Sequence, residues 1–329
     1  MEKSLHQIND PDPCEPLSGR HVIISINPKA GAGCSRARAD RLAEILTEQG
    51  LTAQVETDLE TIGNEACRLA KLGDLRALIG VGGDGTATEL ANRITPEVPL
   101  VIMAAGTENL LARHIGWPKL PEPLADVILN GRKICMDLGR AGNRLFLLML
   151  SCGIDAEIVR RLDEGRSGHI NHASYMGPIF KSVCHYKYPK IEIESDNPEK
   201  NDKSGLHERT EEDPTTSASD KRSNATWVVI TNIPLYGGGV RFSPEADKTD
   251  GLLDICEFRG SGFLRSLGFY IAAKRGRCHK LKNCSARQAT RIRLTADQPL
   301  PYQIDGDPGG TLPVDIELIP QALTLLVPK

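Results

Sequence analysis

The chain has 329 residues, 40% of them apolar and 25% charged, with a net charge of −3. Those are the proportions of a globular protein long enough for two cores. The near-neutral balance and the 4% of aromatic residues exclude a chain built on nucleic-acid binding, which needs basic surface and stacking rings.

Residues 1–19 are polar and proline-bearing, which reads as a flexible arm without the apolar core of a secretory signal. His21–Ile26 is a β-branched run and a good first strand. It ends in Asn27-Pro28-Lys29-Ala30-Gly31-Ala32-Gly33, where proline and glycine mark a shaped loop. Ser35 can cap a helix reaching about Gln49, and Gly50 stops it. Thr52–Thr57 reads as a second strand and Thr61–Lys71 as a second helix. The apolar run Ala77–Val81 closes in Gly82-Gly83-Asp84-Gly85-Thr86 and continues with helical character to Arg93. Leu100–Ala104 is a fourth strand, closed by Gly106-Thr107-Glu108-Asn109, and a short helix starts at Asn109. Strands alternating with helices imply a parallel sheet covered on both faces, with ligands at the carboxyl ends of its strands. Three of those ends carry polar, glycine-bearing loops, which is what a single cleft requires.

After about Lys133 the pattern changes. Leu145–Cys152, Lys190–Glu194, Trp227–Thr231, Leu253–Phe258, Arg291–Leu294, Tyr302–Ile304, Val314–Leu318 and Leu323–Val327 read as strands with few helices between them. The expectation is a second, mostly antiparallel β domain. Helices are expected within His172–Tyr186 and over Phe263–Ala273. Residues 195–224 are polar, charged and almost free of apolar groups, which reads as a disordered insertion. The domain reading is residues 20–132 for the α/β unit and 133–318 for the β unit, with 319–329 packing back on the first. The longest strongly apolar run, Leu145–Ile154, is too short to span a bilayer. Nine cysteines without a CxxC pair fit reduced thiols in the cytoplasm. From Arg259 to Arg293 there are ten Arg or Lys residues and no acid, interleaved with Phe263, Leu264, Leu267 and Ile271. Such a basic, amphipathic segment is suited to anionic headgroups, or is simply a solvated face.

Three glycines enclosing an acid and followed by a hydroxyl, on a strand-to-helix turn, suit phosphate: oxygens can approach backbone N–H groups where no Cβ intervenes, and the helix start adds orphan donors. Asp84 there can hold a cation or steer a water. Asn27 can hydrogen-bond phosphate or ribose, and Lys29 adds a point charge. Asp247, Asp250 and Asp254, in a glycine- and proline-flanked stretch, offer hard oxygen ligands. The Asp305-Gly306-Asp307 turn presents carboxylates without burying them in a core, which makes Asp307 a candidate general base.

Taken together these pieces resemble the diacylglycerol kinase catalytic-domain family, which includes sphingosine kinases and bacterial lipid kinases. Asn27-Pro28-Lys29-Ala30-Gly31 resembles its first motif, and GGDGT with Glu89 its second. Gly106-Thr107 with Asn109 and Ala112 resembles the third. Gly237-Gly238-Gly239, Pro244, Ala246, Asp250-Gly251 and Asp254 resemble the fourth, and Ile304-Asp305-Gly306-Asp307 the fifth. The resemblance runs in order from about Arg20 to the C-terminus. It implies an N-terminal α/β domain with a parallel sheet, like NAD kinases and phosphofructokinases, and a mostly antiparallel β-sandwich C-terminal domain. It implies an ATP- and Mg²⁺-dependent kinase acting on the hydroxyl of a lipid such as diacylglycerol or a sphingoid base. Such an enzyme would be cytoplasmic and peripheral to a membrane surface, with a homodimer left open. ATP would be bound by Asn27, Pro28, Lys29, Thr57, Gly82, Gly83, Asp84, Gly85, Thr86, Glu89, Thr107 and Asn109. Magnesium would lie at Asp247, Asp250 and the backbone oxygen of Leu252. The family usually carries Glu where Asp307 stands, so either the cleft is tighter around the shorter side chain or the role passes to Asp84 or a water. An NAD-kinase-like activity on a soluble acceptor, and a non-catalytic lipid- or nucleotide-binding protein, stand as alternatives.

Overall fold

The computed structural model describes residues 17–26, 34–164, 186–196 and 221–329. The loop after the first strand, most of the stretch expected to hold a helix before Tyr186, and residues 197–220 lie outside the described residues.

The first half is an α/β unit. β1 (His21–Ile26), β2 (Thr52–Glu56), β3 (Leu75–Gly82) and β4 (Leu100–Ala104) are parallel, in the order β2-β1-β3-β4. β1, β3 and β4 are buried along nearly their whole length, as continuous apolar strands sandwiched between helices must be. α1 (Cys34–Glu48), α2 (Leu59–Lys71), α3 (Asp84–Ala91), α4 (Leu110–Ile115) and α5 (Pro121–Asn130) link or cover them. α2 begins two residues before the expected Thr61, where Asp58 as N-cap accepts a hydrogen bond from the Thr61 N–H.

The second half begins with β5 (Arg132–Ala141), β6 (Arg144–Phe146), β7 (Met149–Cys152) and α6 (Ile154–Glu164). It continues with β8 (Ile191–Ser195), β9 (Lys221–Ala225), β10 (Trp227–Thr231), β11 (Leu253–Phe258) and α7 (Phe263–Lys274). It ends with β12 (Cys284–Ala289), β13 (Arg291–Thr295), β14 (Pro301–Ile304), β15 (Asp307–Thr311) and β16 (Val314–Val327). One antiparallel sheet runs β12-β11-β10-β7-β14-β15. The other is continuous with the parallel sheet, because β16 pairs β13 antiparallel, β4 in parallel at Leu325, and β5 along most of its length. The two sheets enclose a core of Leu150, Val228, Ile255, Ile292, Ile304 and Val314.

The structure corrects several expectations. The runs Val314–Leu318 and Leu323–Val327 are one 14-residue strand, interrupted by an irregularity between Ile319 and Leu323. Gln321 adopts a φ of +49° there, and its N–H donates to Asp137. Leu145–Cys152 is two strands rather than one. Residues 221–224, assigned to a disordered insertion, belong to strand β9. Among the described residues that strand is an edge, paired only to β8, which suits its polar composition, with Arg222 bridging Glu194 at 3.0 Å. Among the described residues, no helix is long and apolar enough to cross a membrane.

Candidate active site

Four loops leave the carboxyl ends of the adjacent strands β2, β1, β3 and β4. Thr57 follows β2, residues 27–33 follow β1, the GGDGT turn follows β3, and Gly106–Asn109 follow β4. Asn27, Pro28 and Lys29 lie outside the described residues. The other loops can be read atom by atom.

The β3 and β4 loops touch backbone to backbone. The Ala105 N–H donates to Gly82 O at 2.8 Å. A Cβ on Gly106 would lie 2.7 Å from Gly83 Cα, and one on Gly82 would lie 2.1 Å from Thr86 Oγ1. Only glycine fits this approach. Asn109 sits at φ +50° and closes its own loop: Oδ1 accepts the Gly106 N–H at 2.9 Å and Nδ2 donates to Gly106 O at 2.7 Å.

Asp84 binds across the gap. Its carboxylate accepts the N–H groups of Leu110 at 2.9 Å and Leu111 at 3.0 Å. These are orphan donors of the first turn of α4, whose own N-cap residue Asn109 makes no side-chain cap. The carboxylate expected to hold a cation or steer a water thus also caps a second helix. Thr86 and Asn109 likewise turn inward, with Thr86 6% and Asn109 7% exposed. Gly85 and Thr107 remain exposed. Glu89 lies one turn beyond Gly85 on the exposed face of α3 and pairs with Arg93 at 2.6 Å. Arg93 and the exposed Thr57 line one groove of about 510 Å³; Glu89 meets it only through its ion pair with Arg93.

The β14–β15 hairpin faces this turn. Asp305 and Gly306 have φ of +50° and +90°, the two-residue Asp-Gly loop that matches strand twist. The Asp305 carboxylate accepts the N–H groups of Leu147, Leu148 and Met149, each at 2.9 Å, and the Thr88 hydroxyl of α3 at 2.8 Å. The hairpin is thereby fastened to the helix that starts at GGDGT. Asp307 then falls beside Gly85: a Cβ there would lie 4.0 Å from Asp307 Oδ2. Arg144 Nη2 stands 3.7 Å from the same oxygen.

Behind the hairpin runs a buried polar chain that sequence reasoning missed. The Gly306 N–H donates to Gln303 Oε1 at 2.7 Å, and Gln303 Nε2 donates to Ser151 Oγ at 2.7 Å. The Ser151 and Tyr236 hydroxyls both donate to Asp155. Burial pushes the Asp155 carboxyl up and the Tyr236 hydroxyl well above its usual value. The available signal was Gly153-Ile154-Asp155, a glycine-acid turn from strand to helix like GGDGT itself.

Asp247, Asp250 and Leu252 share one loop. Asp247 Oδ1 accepts the Thr249 N–H at 3.0 Å and Asp250 Oδ1 accepts the Leu252 N–H at 3.0 Å. Each carboxylate thus spends one oxygen on the backbone two residues ahead. Among the described residues, no three His, Cys, Asp or Glu side chains gather as a metal cluster. The loop does concentrate negative charge. Asp250 and Asp254 are each pushed up to about 6, first by burial and then by neighbouring acids, and Asp254 Oδ2 is buried without a hydrogen-bond partner. The loop also abuts α4: His114 is pushed down to about 4 by burial and by Lys248, with Asp247 opposing.

A parallel α/β sheet is thus continued into an antiparallel sandwich, with a hairpin carboxylate set against a glycine turn. The chain matches the diacylglycerol kinase catalytic domain over residues 21–141 and the YegS C-terminal NAD kinase beta sandwich-like domain over residues 149–327, and it belongs to the diacylglycerol kinase family. It is 26% identical to a diacylglycerol kinase of Mycobacterium tuberculosis and 21% identical to one of Bacillus subtilis, each match covering 94% of this chain and 97% of the relative. The solved structure of a diacylglycerol kinase from Bacillus anthracis superimposes with a TM-score of 0.63 at 19% identity, covering 94% of this chain and 97% of that one. The fold is the same.

Proposed function

We propose that the chain is a peripheral, cytoplasmic lipid kinase that transfers the γ-phosphoryl group of ATP to the hydroxyl of a lipid such as diacylglycerol or a sphingoid base. The observation that carries this reading is the Asp307 carboxylate beside Gly85, at the start of α3. A phosphate seated on the helix start would receive orphan N–H donors from Gly85 and its neighbours, with Thr57, Gly83 and Thr107 bordering it and Asn27, Pro28 and Lys29 supplied by the loop after β1. Asp307 takes the proton of the acceptor hydroxyl as its oxygen forms the new bond to phosphorus, and the bond from that phosphorus to the β-phosphate oxygen breaks to release ADP. Asp84 and Asn109 act as positioning residues: one holds α4 to the glycine turn, and the other shapes the Gly106 loop. The domain reading of 20–132 for nucleotide and 133–318 for lipid follows from this division of labour.

Asp247, Asp250 and the Leu252 carbonyl would hold Mg²⁺. Their crowded charge and the unpartnered Asp254 oxygen fit a hard cation, whose remaining ligands would be water. When bound, such a cation supplies charge neutralisation. The test is labelled ATP with purified chain against a panel of dispersed lipids, with and without Mg²⁺. Labelled lipid with the native chain and none with Asp307→Asn is the expected result. Transfer to NAD in place of lipid would overturn the reading.

A further inference from the structure

Helix α7 is amphipathic in the wrong sense for a helix facing water. Its buried residues are Ser266, Phe269 and Ala273, on one arc of the helix. The opposite arc carries Leu264, Leu267 and Ile271, spaced i, i+3, i+7, and these are 80%, 41% and 41% exposed. An outward arc is normally polar. With Tyr270, four of the seven large apolar side chains exposed among the described residues lie on this one helix, so the stripe is not the scatter that any surface shows.

Along the chain, the charge that flanks the stripe is of one sign. Lys274 and Arg275 continue the outward arc at its C-terminal end, and Arg277, Lys280 and Lys282 follow in the next turn and loop, all exposed. Among the described residues none of these five cations forms an ion pair, whereas most exposed arginines elsewhere, such as Arg36, Arg68 and Arg93, have acidic partners. No acid occurs between Arg259 and Arg293. An apolar stripe rimmed by unpaired cations matches an anionic bilayer, whose acyl boundary takes the leucines and whose headgroups take the lysines and arginines. Neighbours also lead from the helix toward the Asp305–Gly306 hairpin. The Tyr270 hydroxyl lies 2.7 Å from where a Cβ on Gly238 would stand. Two residues earlier, Tyr236 joins the chain through Gln303 to the Gly306 N–H.

We propose that the outward face of α7 is the surface by which this protein docks on anionic membranes, Leu264 and Ile271 entering the interface and Lys274 and Arg275 pairing with headgroups. The docking rests on the lipid-kinase reading for its purpose but not for its measurement. The full chain is sedimented, without ATP, with vesicles of phosphatidylcholine alone or with one third phosphatidylglycerol. The expected result is binding to the anionic vesicles only, released as salt rises from about 0.1 to 0.5 M. Leu264→Asp with Ile271→Asp should weaken binding at least about tenfold, and so should Lys274→Glu with Arg275→Glu, both with unchanged melting temperatures. Equal binding by native chain and variants, or none by the native chain, overturns the proposal. So does a native dimer in analytical ultracentrifugation that Leu264→Asp dissociates without altering vesicle binding, which would assign the stripe to a second copy. A chain that docks through α7 yet phosphorylates no lipid keeps this inference and removes the kinase reading. One that phosphorylates detergent-dispersed lipid but ignores vesicles does the reverse.

Discussion

Replacing Asp84 by alanine separates a positioning carboxylate from a purely chemical one. The native side chain supplies acceptors at 2.9 and 3.0 Å to two first-turn N–H groups of α4, and the helix has no other side-chain cap. Loss of a helix cap costs about 0.5–2 kcal/mol, and a hydrogen bond to a charged group contributes about 1.5–3 kcal/mol. Water can partly replace the acceptor at this half-buried position, so the expected loss is about 2–3 kcal/mol. For a protein of this size that lowers the melting temperature by roughly 3–5 °C. Calorimetry of the nucleotide-free chain measures it. Asp84→Asn, which keeps one oxygen, should lose about half as much. A melting temperature for Asp84→Ala within about 1 °C of native would refute the reasoning and return Asp84 to chemistry alone.

Asp307→Asn should leave the melting temperature unchanged, because the side chain is 43% exposed, while turnover falls about 100-fold or more and calorimetric ATP affinity holds. Gln303→Leu leaves the Gly306 N–H without its acceptor and removes the bond that Ser151 Oγ accepts, while the Ser151 hydroxyl keeps Asp155. It should slow kcat about tenfold at unchanged KM for ATP and destabilise the fold by about 1–3 kcal/mol; a shift in KM alone would contradict a positioning role. Asp250 and Asp254, pushed up to about 6 in the fold, hold protons that the unfolded chain, with its lower pKa, has lost. Their contribution therefore makes the metal-free fold more stable as pH falls from 7 toward 5. Mg²⁺ should raise the melting temperature more at pH 7.5 than at pH 5, and equal increments would place the cation elsewhere.

Much of the fold was legible because long apolar runs and glycine punctuation announce a parallel α/β sheet. The boundaries of β10 and β11 coincide with the runs Trp227–Thr231 and Leu253–Phe258. The missed elements lack that signal. β15 reads Asp-Pro-Gly-Gly-Thr, a turn by composition, and is a strand only because it lies at an edge, paired to β14. α5 begins with Pro121 and Pro123, tolerated where the first N–H groups are orphans anyway. β16 looked like two strands because Pro320 and the left-handed Gln321 interrupt it. In the candidate site, the loops were legible and the directions of the side chains were not. Nothing in GGDGT tells that Asp84 reaches a helix 26 residues on, or that Asp305 rather than Asp307 grips α3.

β16 is a stay common to both lobes: one end lies against β4, the other against β13, and its irregular middle is tied through Asp137 to Gly251 in the acidic loop. The strand passes from one lobe to the other within a single sheet, and its one irregular stretch, at Pro320 and Gln321, is the part that Asp137 holds. The hairpin that carries Asp307 is moored separately, through the Asp305 bond to Thr88 of α3, so the glycine turn and the hairpin share a brace of their own besides the common strand.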